Sequence, residues 1–503
     1  MMDLSRIIER WAAFQPHQTA LHFRGRDISY AELWKRIEAA SRGLAAGLGI
    51  GRGDRVAYLG HNHPDMLVLL FALARLGAML VPLNFRLTAR EHRQILEDAG
   101  ARAVVVESDF TAHCEPLRAA LARSLWVAMH QVPAGWRDWA EVVAGGPRAS
   151  ADGDDALPVL IVYTSGSTGR PKGAVHTQAS ILWNAVNSTH AHDLVRGDHV
   201  LSTLPMFHVG GLNIQTLPAL HAGAAVTLHP RFDPGPWLKD VAHRRPTLSL
   251  LVPTTMRAVV DHPDWPRTDL SSLRLLITGS SPVPETLINA FHERGVPVGQ
   301  VYGTTETGPI SIYLRREDAF RRIGYAGKAA VHCEIRLVGA DGKDVAGGEV
   351  GEIWVKGLNV MQGYWNDQEN PAFQGGWFRT GDVGYQDAEG FYRVVGRRQD
   401  VIISGGENIY PAELENLLAE CPDIAEAAVV GADDPKWGEV AVAMIVKRPG
   451  STLGEAGVRK LFEGRLARFK HPRRIVFTDA LPKNAMGKVQ KFELKKALAA
   501  GET

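Results

Sequence analysis

A chain of 503 residues is long enough for about three ordinary folding units, and 45% apolar against 22% charged residues is the make-up of a globular protein with a large core. Fifty-six basic against fifty-five acidic side chains leave a net charge of +1, which argues against a nucleic-acid binder and makes any polyanion site local. Cys114, Cys333 and Cys421 are widely spaced, odd in number and without metal-type spacing, so a disulfide framework is excluded and a reducing compartment fits.

Residues 1–11 alternate charge with apolar residues and lack the apolar run of a secretion signal. The apolar stretch 66–83 falls short of the roughly 20 residues that span a bilayer, and Arg75 within it would cost about 2.5–3.5 kcal/mol against insertion. A buried helix, a turn near Gly77 and a short buried strand leading to Asn84 are predicted there. From residue 55 to about 301, strands are predicted at 55–59, 103–106, 159–163, 200–204, 225–228, 248–252 and 273–278, with helical stretches such as 177–190 and 284–294 between them. This alternation implies parallel sheets covered by helices on both faces, with ligands gathering at the carboxyl ends of strands. After Gly308 the pattern changes to strands at 333–338, 351–356 and 390–395 around Asp-Gly and Glu-Gly turn signals, which reads as a small antiparallel sheet or barrel. A third unit follows Gly396, with strands at 401–403, 426–430 and 439–446, a helix from Pro411, a basic helix near 458–468 and a polar tail.

The most informative segment is Tyr163-Thr164-Ser165-Gly166-Ser167-Thr168-Gly169-Arg170-Pro171-Lys172-Gly173, directly after a buried strand. Its glycines let backbone N–H groups crowd an anion, its hydroxyls donate further bonds and Lys172 supplies charge. A nucleoside-triphosphatase loop would need glycine before the lysine and a hydroxyl after it; Pro171 and Gly173 stand there instead. Further on, Tyr302-Gly303-Thr304-Thr305-Glu306 places an aromatic ring, a glycine and a carboxylate in one turn, a combination able to stack a base and reach a cation. Gly279-Ser280-Ser281 lets a planar ligand approach the backbone. Asp382, beside Gly381, can accept the two hydrogen bonds of a ribose diol.

With these motifs in order along nearly the whole chain, the sequence resembles the adenylate-forming superfamily, in particular acyl-CoA synthetases of the medium-chain fatty acid and hydroxycinnamate (feruloyl, 4-coumarate) type. The resemblance implies an α/β fold: a large N-terminal domain (1–396) of parallel sheets flanked by helices plus a small β-barrel (about 309–396), a hinge at 397–400 and a smaller, mobile α+β C-terminal domain (401–503). It implies an ATP-dependent carboxylic acid–CoA ligase that makes acyl-AMP and pyrophosphate, then acyl-CoA and AMP, from a fatty or aryl acid. ATP, Mg²⁺ and coenzyme A are the expected co-substrates and cofactor, in the cytoplasm, with neither nucleic acid nor a transmembrane segment involved and a homodimer left open.

By the same resemblance, Thr164, Ser165, Gly166, Ser167, Thr168, Gly169 and Lys172 cradle the ATP phosphates. Tyr302 stacks on adenine beside Gly279, Ser280, Ser281, Gly303 and Thr304; Thr305 contacts phosphate, and Glu306 holds Mg²⁺. Asp382 with Arg397 takes the ribose. His208 gates an acyl pocket that includes Gly210, Gly211 and Gly303, the two adjacent glycines shortening its wall for a bulky or elongated acyl group. Lys488, on a loop whose Asn484 and Met486 depart from the commoner Thr-containing form, bridges the substrate carboxylate and the α-phosphate. Asp400 matches the hinge. Gly405, Gly406, Glu407, Trp437, Arg473 and Arg86 are the candidates for CoA, and the cluster Arg465, Arg468, Lys470, Arg473 and Arg474 suits either CoA phosphates or a solvated face. Two alternatives stand beside this reading. One is an enzyme loading a carrier protein, against which no carrier segment follows Lys488 in this sequence. The other is a non-catalytic adenylate or acyl sensor, against which Glu306 and Lys488 are both present; an oxygenase of the luciferase type is possible on the same fold.

Overall fold

The apolar run that failed the bilayer test is the spine of the molecule. In the computed structural model, which describes residues 3–147, 152–165, 171–279, 283–367, 372–405, 407–484 and 487–500, this run forms the helix Pro64–Leu76, buried on nearly every face. His63 caps its start, Nδ1 accepting from the Asp65 amide at 3.1 Å. Gly77 ends it in the left-handed conformation, φ 66°, with Ala78 N–H returning to Leu73 O at 2.9 Å. Leu67, Leu69, Leu70, Phe71 and Leu73 are each at most 2% exposed; burying side chains of this size contributes about 1.5–3 kcal/mol apiece. The chain then enters the strand Met79–Leu83. No helix among the described residues is long and apolar enough to cross a membrane.

Two large sheets carry the N-terminal part. One has eight strands, with Met79–Leu83, Arg55–Leu59, Ala103–Glu107 and Leu125–Met129 parallel. The other has nine, with Ala225–Leu228, His199–Ser202, Leu248–Leu250, Leu275–Gly279 and Val298–Tyr302 parallel. The predicted strands are present, though those at 200–204 and 248–252 stop at Ser202 and Leu250, and the helices follow as Gln178–His192 and Glu285–His292. Antiparallel strands at the margins carry no strong periodic signal. Pro171–Thr177 folds back on Pro158–Ser165, and Ile312–Tyr313 with Lys328–Ala329 extends the nine-stranded sheet beyond Val298–Tyr302. The β-rich unit expected from about 309 therefore starts its own sheet at Cys333.

That sheet curls through Cys333–Val338, Gly351–Gly357, Trp377–Gln386 and Tyr392–Arg397, all antiparallel. Trp377–Gln386 is its longest strand and was not predicted; its glycines and Asp382 mask the alternation. A fourth sheet is built from Ile402–Ser404, Glu407–Ile409, Ile424–Asp434, Gly438–Lys447 and the parallel strand Arg474–Phe477, with the helix Pro411–Ala419 packed on it. The basic helix expected over 458–468 is shorter and earlier, Glu455–Lys460, because Gly464 at φ 72° interrupts it. The polar tail instead supplies a helix, Lys491–Ala500, that buries Leu494 and Leu498.

Candidate active site

Parallel strands deliver the site. Leu275–Gly279 and Val298–Tyr302 are neighbours, Gly279 opposite Val301, and the Gly303–Gly308 turn leaves the carboxyl end of the second. His199–Ser202, in the same sheet, leads to His208. The hairpin Pro158–Ser165/Pro171–Thr177, whose ladder pairs Thr164 with Lys172, reaches the Glu306 turn through His176 and Thr305. Ligand-sized crevices form at such carboxyl ends.

Asp382 lies on the curled sheet directly opposite Arg397. Its Oδ1 takes Arg397 Nε at 2.6 Å, and its Oδ2 accepts from Tyr302 Oη at 2.9 Å. Burial pushes the Asp382 carboxyl up, while Arg397, Tyr302 and Lys488 pull the other way. Burial also lowers the Lys488 ammonium, with Arg397 adding to the effect and Asp382 and Glu306 opposing it. Lys488 stays reachable by solvent although protein surrounds it, as suits a group reaching into an open cleft. Its charge also acts on His208. Burial first, then Lys488, holds that imidazole down at about 4, so it is neutral near pH 7. Its Nδ1 accepts from Gly210 N–H at 3.0 Å, which leaves Nε2 as the donor.

The Glu306 turn is tied down on three sides. His176 Nε2 donates to Thr305 O at 2.8 Å, Met361 N–H donates to Glu306 O at 2.8 Å, and Tyr364 Oη donates to Glu306 Oε1 at 2.8 Å. Asn359 Nδ2 donates to Thr307 O at 2.6 Å and Asn213 Nδ2 to Gly308 O at 3.0 Å. Glu306 Oε2 makes no hydrogen bond with a described residue, and Thr304 Oγ1 is buried without a partner among them. None of these supporting residues was predicted. His176 had no signal either, since Pro171–Thr177 lacks a clear polar–apolar alternation.

The structure therefore brings Lys488, Glu306, Asp382, Arg397, Tyr302 and His208 together from five separate stretches. Gly166, Ser167, Thr168 and Gly169 of the phosphate turn, Ser280, Ser281 and Gly406 lie outside the described residues, as does the side chain of Ser165. The glycines have reasons other than pocket width. A Cβ at Gly303 would stand 1.8 Å from Pro309 O, one at Gly279 2.5 Å from Val301 O, and one at Gly211 2.3 Å from Pro205 O. Gly211 is thus a close-packing glycine, which corrects its reading as a short pocket wall.

Among the CoA candidates, Gly405 N–H donates to Trp437 O at 2.7 Å, and the Arg473 guanidinium lies 4.8 Å over the Trp437 ring. Glu407 pairs with Ser404 in the adjoining hairpin. Arg86 follows the Met79–Leu83 strand in the eight-stranded sheet, over Phe85 at 5.2 Å. The basic cluster is partly neutralised: Arg465 grips Glu420 through two bonds of 2.7 and 2.9 Å, and Lys470 bonds Glu413 at 2.7 Å. Asp400 ends a short 3₁₀ turn, Arg398–Asp400, between the curled sheet and the fourth sheet.

Residues 8–365 match the family described as AMP-binding enzyme, and residues 413–488 match the AMP-binding enzyme C-terminal domain. The chain is 50% identical to an indoleacetate–CoA ligase of Aromatoleum aromaticum, over 99% of this chain and 98% of that one. It is 42% identical to a feruloyl-CoA synthase of an Amycolatopsis species, over 97% of each. Among solved structures, the o-succinylbenzoate CoA synthetase of Bacillus subtilis superposes with a TM-score of 0.87 in complex with its acyl-adenylate intermediate, at 32% identity over 98% of this chain and 99% of that one. The same synthetase with ATP and magnesium gives 0.85, over 97% and 99%.

Proposed function

The chain belongs to the AMP-binding enzyme family and is an ATP-dependent carboxylic acid–CoA ligase; from that premise we propose that its acid is an aryl or arylalkyl carboxylate of indoleacetate or hydroxycinnamate size, and that the residues gathered around Lys488 carry the adenylation step. The gathering of Lys488, Glu306, Asp382 and Arg397 at one cleft carries the second part. The first rests on full-length identity of one half to a ligase named for indoleacetate.

A carboxylate cannot expel oxide, so one of its oxygens attacks the α-phosphorus of ATP. The bond to the β-phosphate oxygen breaks, and pyrophosphate leaves. Lys488 aligns the two anions and offsets the charge that builds on the α-phosphate; Lys172 and the 164–169 turn hold the departing pyrophosphate; Tyr302 and the Asp382–Arg397 pair seat adenosine. Glu306 suits magnesium: a hard carboxylate with one oxygen fixed by Tyr364 and the other without a hydrogen bond to a described residue. That ion takes few protein ligands beside phosphates and water, consistent with no group of three or more candidate ligands among the described residues. Magnesium there would neutralise phosphate charge. No side-chain nucleophile is needed.

In the second step the CoA thiolate attacks the acyl carbon and AMP leaves with its oxygen. A swing about 397–400, with Asp400 as its pivot, would withdraw Lys488 and bring Gly405, Glu407 and Trp437 to the acyl-adenylate. ATP and CoA are cytoplasmic metabolites, which supports a cytoplasmic location; sedimentation would decide between monomer and homodimer.

The acid assignment is tested by pyrophosphate release with indoleacetate, phenylacetate, ferulate, benzoate and dodecanoate. The aryl acids should give the highest kcat/KM. A fatty acid surpassing all of them would overturn the assignment.

A further inference from the structure

We propose that Tyr364 is a positioning residue for the adenylation step, its hydroxyl fixing the Glu306 carboxylate and its ring steadying Lys172, so that the metal side and the phosphate side of the site share one frame. The inference rests on the reading of Glu306 as the magnesium carboxylate.

The frame is a strand pairing that brings distant sequence together. Gly363–Tyr364 pairs antiparallel with Pro171–Thr177, Tyr364 opposite Ala174 and Gly363 opposite Val175. Directly opposed residues share a face, and alternation puts Lys172, Ala174 and His176 on it as well. Ala174 is fully buried and small, so the Tyr364 ring can lie across it. At one end of this face Lys172 Nζ sits 5.1 Å over the Tyr364 ring, within the range of a cation–π contact. At the other, His176 holds Thr305 O. Between them the Tyr364 hydroxyl reaches Glu306 Oε1 at 2.8 Å.

The chemistry follows from direction. A phenol that donates to Oε1 selects one rotamer of the carboxylate and leaves Oε2 as the oxygen for a cation. A phenol is protonated near neutral pH, so it donates to the carboxylate. The backbone of the turn does not depend on the phenol, because His176 and Met361 hold Thr305 O and Glu306 O independently. Tyr364→Phe therefore removes orientation of the carboxylate while leaving the turn, the strand pairing and the ring over Lys172 in place.

The test is Mn²⁺ binding, read by electron paramagnetic resonance on the full-length protein with α,β-methylene ATP and no acid present. Tyr364→Phe should weaken Mn²⁺ binding on the order of tenfold, the usual cost of losing a residue that orients a metal ligand, and Glu306→Gln at least as much. At saturating metal, nucleotide affinity should survive in Tyr364→Phe and fall a few-fold in Tyr364→Leu, where Lys172 loses its ring. Weakened Mn²⁺ binding in Glu306→Gln but not in Tyr364→Phe overturns the role of Tyr364 alone. No change in either variant overturns the metal reading of Glu306 and this inference with it. Equal nucleotide affinity in the Phe and Leu variants removes Lys172 from the frame.

Discussion

Tyr302 and Asp382, 80 residues apart, are joined by a 2.9 Å hydrogen bond from the phenol to Oδ2, while Arg397 holds the other carboxylate oxygen at 2.6 Å. The residues proposed to seat adenine and ribose are thus one hydrogen-bonded unit spanning two sheets. Bonds to a charged group are worth about 1.5–3 kcal/mol and neutral ones about 0.5–1.5. Asp382→Asn, which discharges the centre of the unit, should raise the KM for ATP roughly 10- to 100-fold in pyrophosphate exchange. Tyr302→Phe loses one bond but keeps the ring, the carboxylate charge and its Arg397 pair, so its KM should rise by less than that of Asp382→Asn. Equal effects would place the two residues in unrelated roles.

Lys488 and Asp400 should separate the two half-reactions. Lys488→Ala removes the charge proposed to meet the α-phosphate, and loss of one such group costs roughly 10²- to 10³-fold in rate. Acyl-adenylate formation should fall by that amount, while thioester formation from supplied acyl-AMP is spared. Asp400 ends a 3₁₀ turn, and proline there fixes φ at about −65°. Asp400→Pro therefore restricts the backbone rotation that the proposed swing needs. Adenylation should persist and CoA transfer should collapse. Rapid-quench assays of each half-reaction read both outcomes, and parallel losses in either variant would contradict the swing.

The sequence announced the parts of this site that follow buried parallel strands, because apolar runs such as 55–59 and 225–228 mark the strand and the polar turn after each marks its carboxyl end. It was silent on what supports them. Tyr364 acts from a two-residue strand, too short for any periodicity, and its partner Glu306 is 58 positions away. Asn213 and Asn359 look like ordinary polar residues until the backbone carbonyls they satisfy are known. Gly211 misled for a related reason: a glycine shows that a side chain is unwelcome, but not whether a ligand or the Pro205 carbonyl excludes it.

The pH profile of adenylation should carry the imprint of the site. His208 is neutral down to about 4, so between about pH 5.5 and 8 it contributes no limb near the usual histidine value of roughly 6.5. Lys488 must be protonated to act, and its pKa lies below the usual lysine value, through burial and then Arg397. Activity is therefore full on the acid side and declines as pH rises through that lowered value. Lys488→Arg keeps a charge that does not titrate, so whatever adenylation it retains should lack the alkaline decline. An alkaline limb unchanged in Lys488→Arg would assign it to another group.

Gly405 and Trp437 test the other face of the C-terminal domain. Gly405 adopts φ 61°, and a Cβ there would stand 2.8 Å from Trp437 Cε3. Alanine at this position costs about 1–2 kcal/mol for the left-handed backbone alone, and it also displaces the indole over which Arg473 lies at 4.8 Å. If this platform receives CoA, Gly405→Ala and Trp437→Ala should each raise the KM for CoA, by about tenfold for the loss of an aromatic anchor. Pyrophosphate exchange, which needs no CoA, should be unaltered, because neither residue contacts the groups around Lys488. Arg473→Lys discriminates further: it keeps the charge but not the flat stacking surface, so a guanidinium that orients the indole makes it resemble Trp437→Ala. A fall in exchange matching the fall in thioester formation would reduce the platform to a packing element of the fourth sheet, and CoA would have to be bound elsewhere.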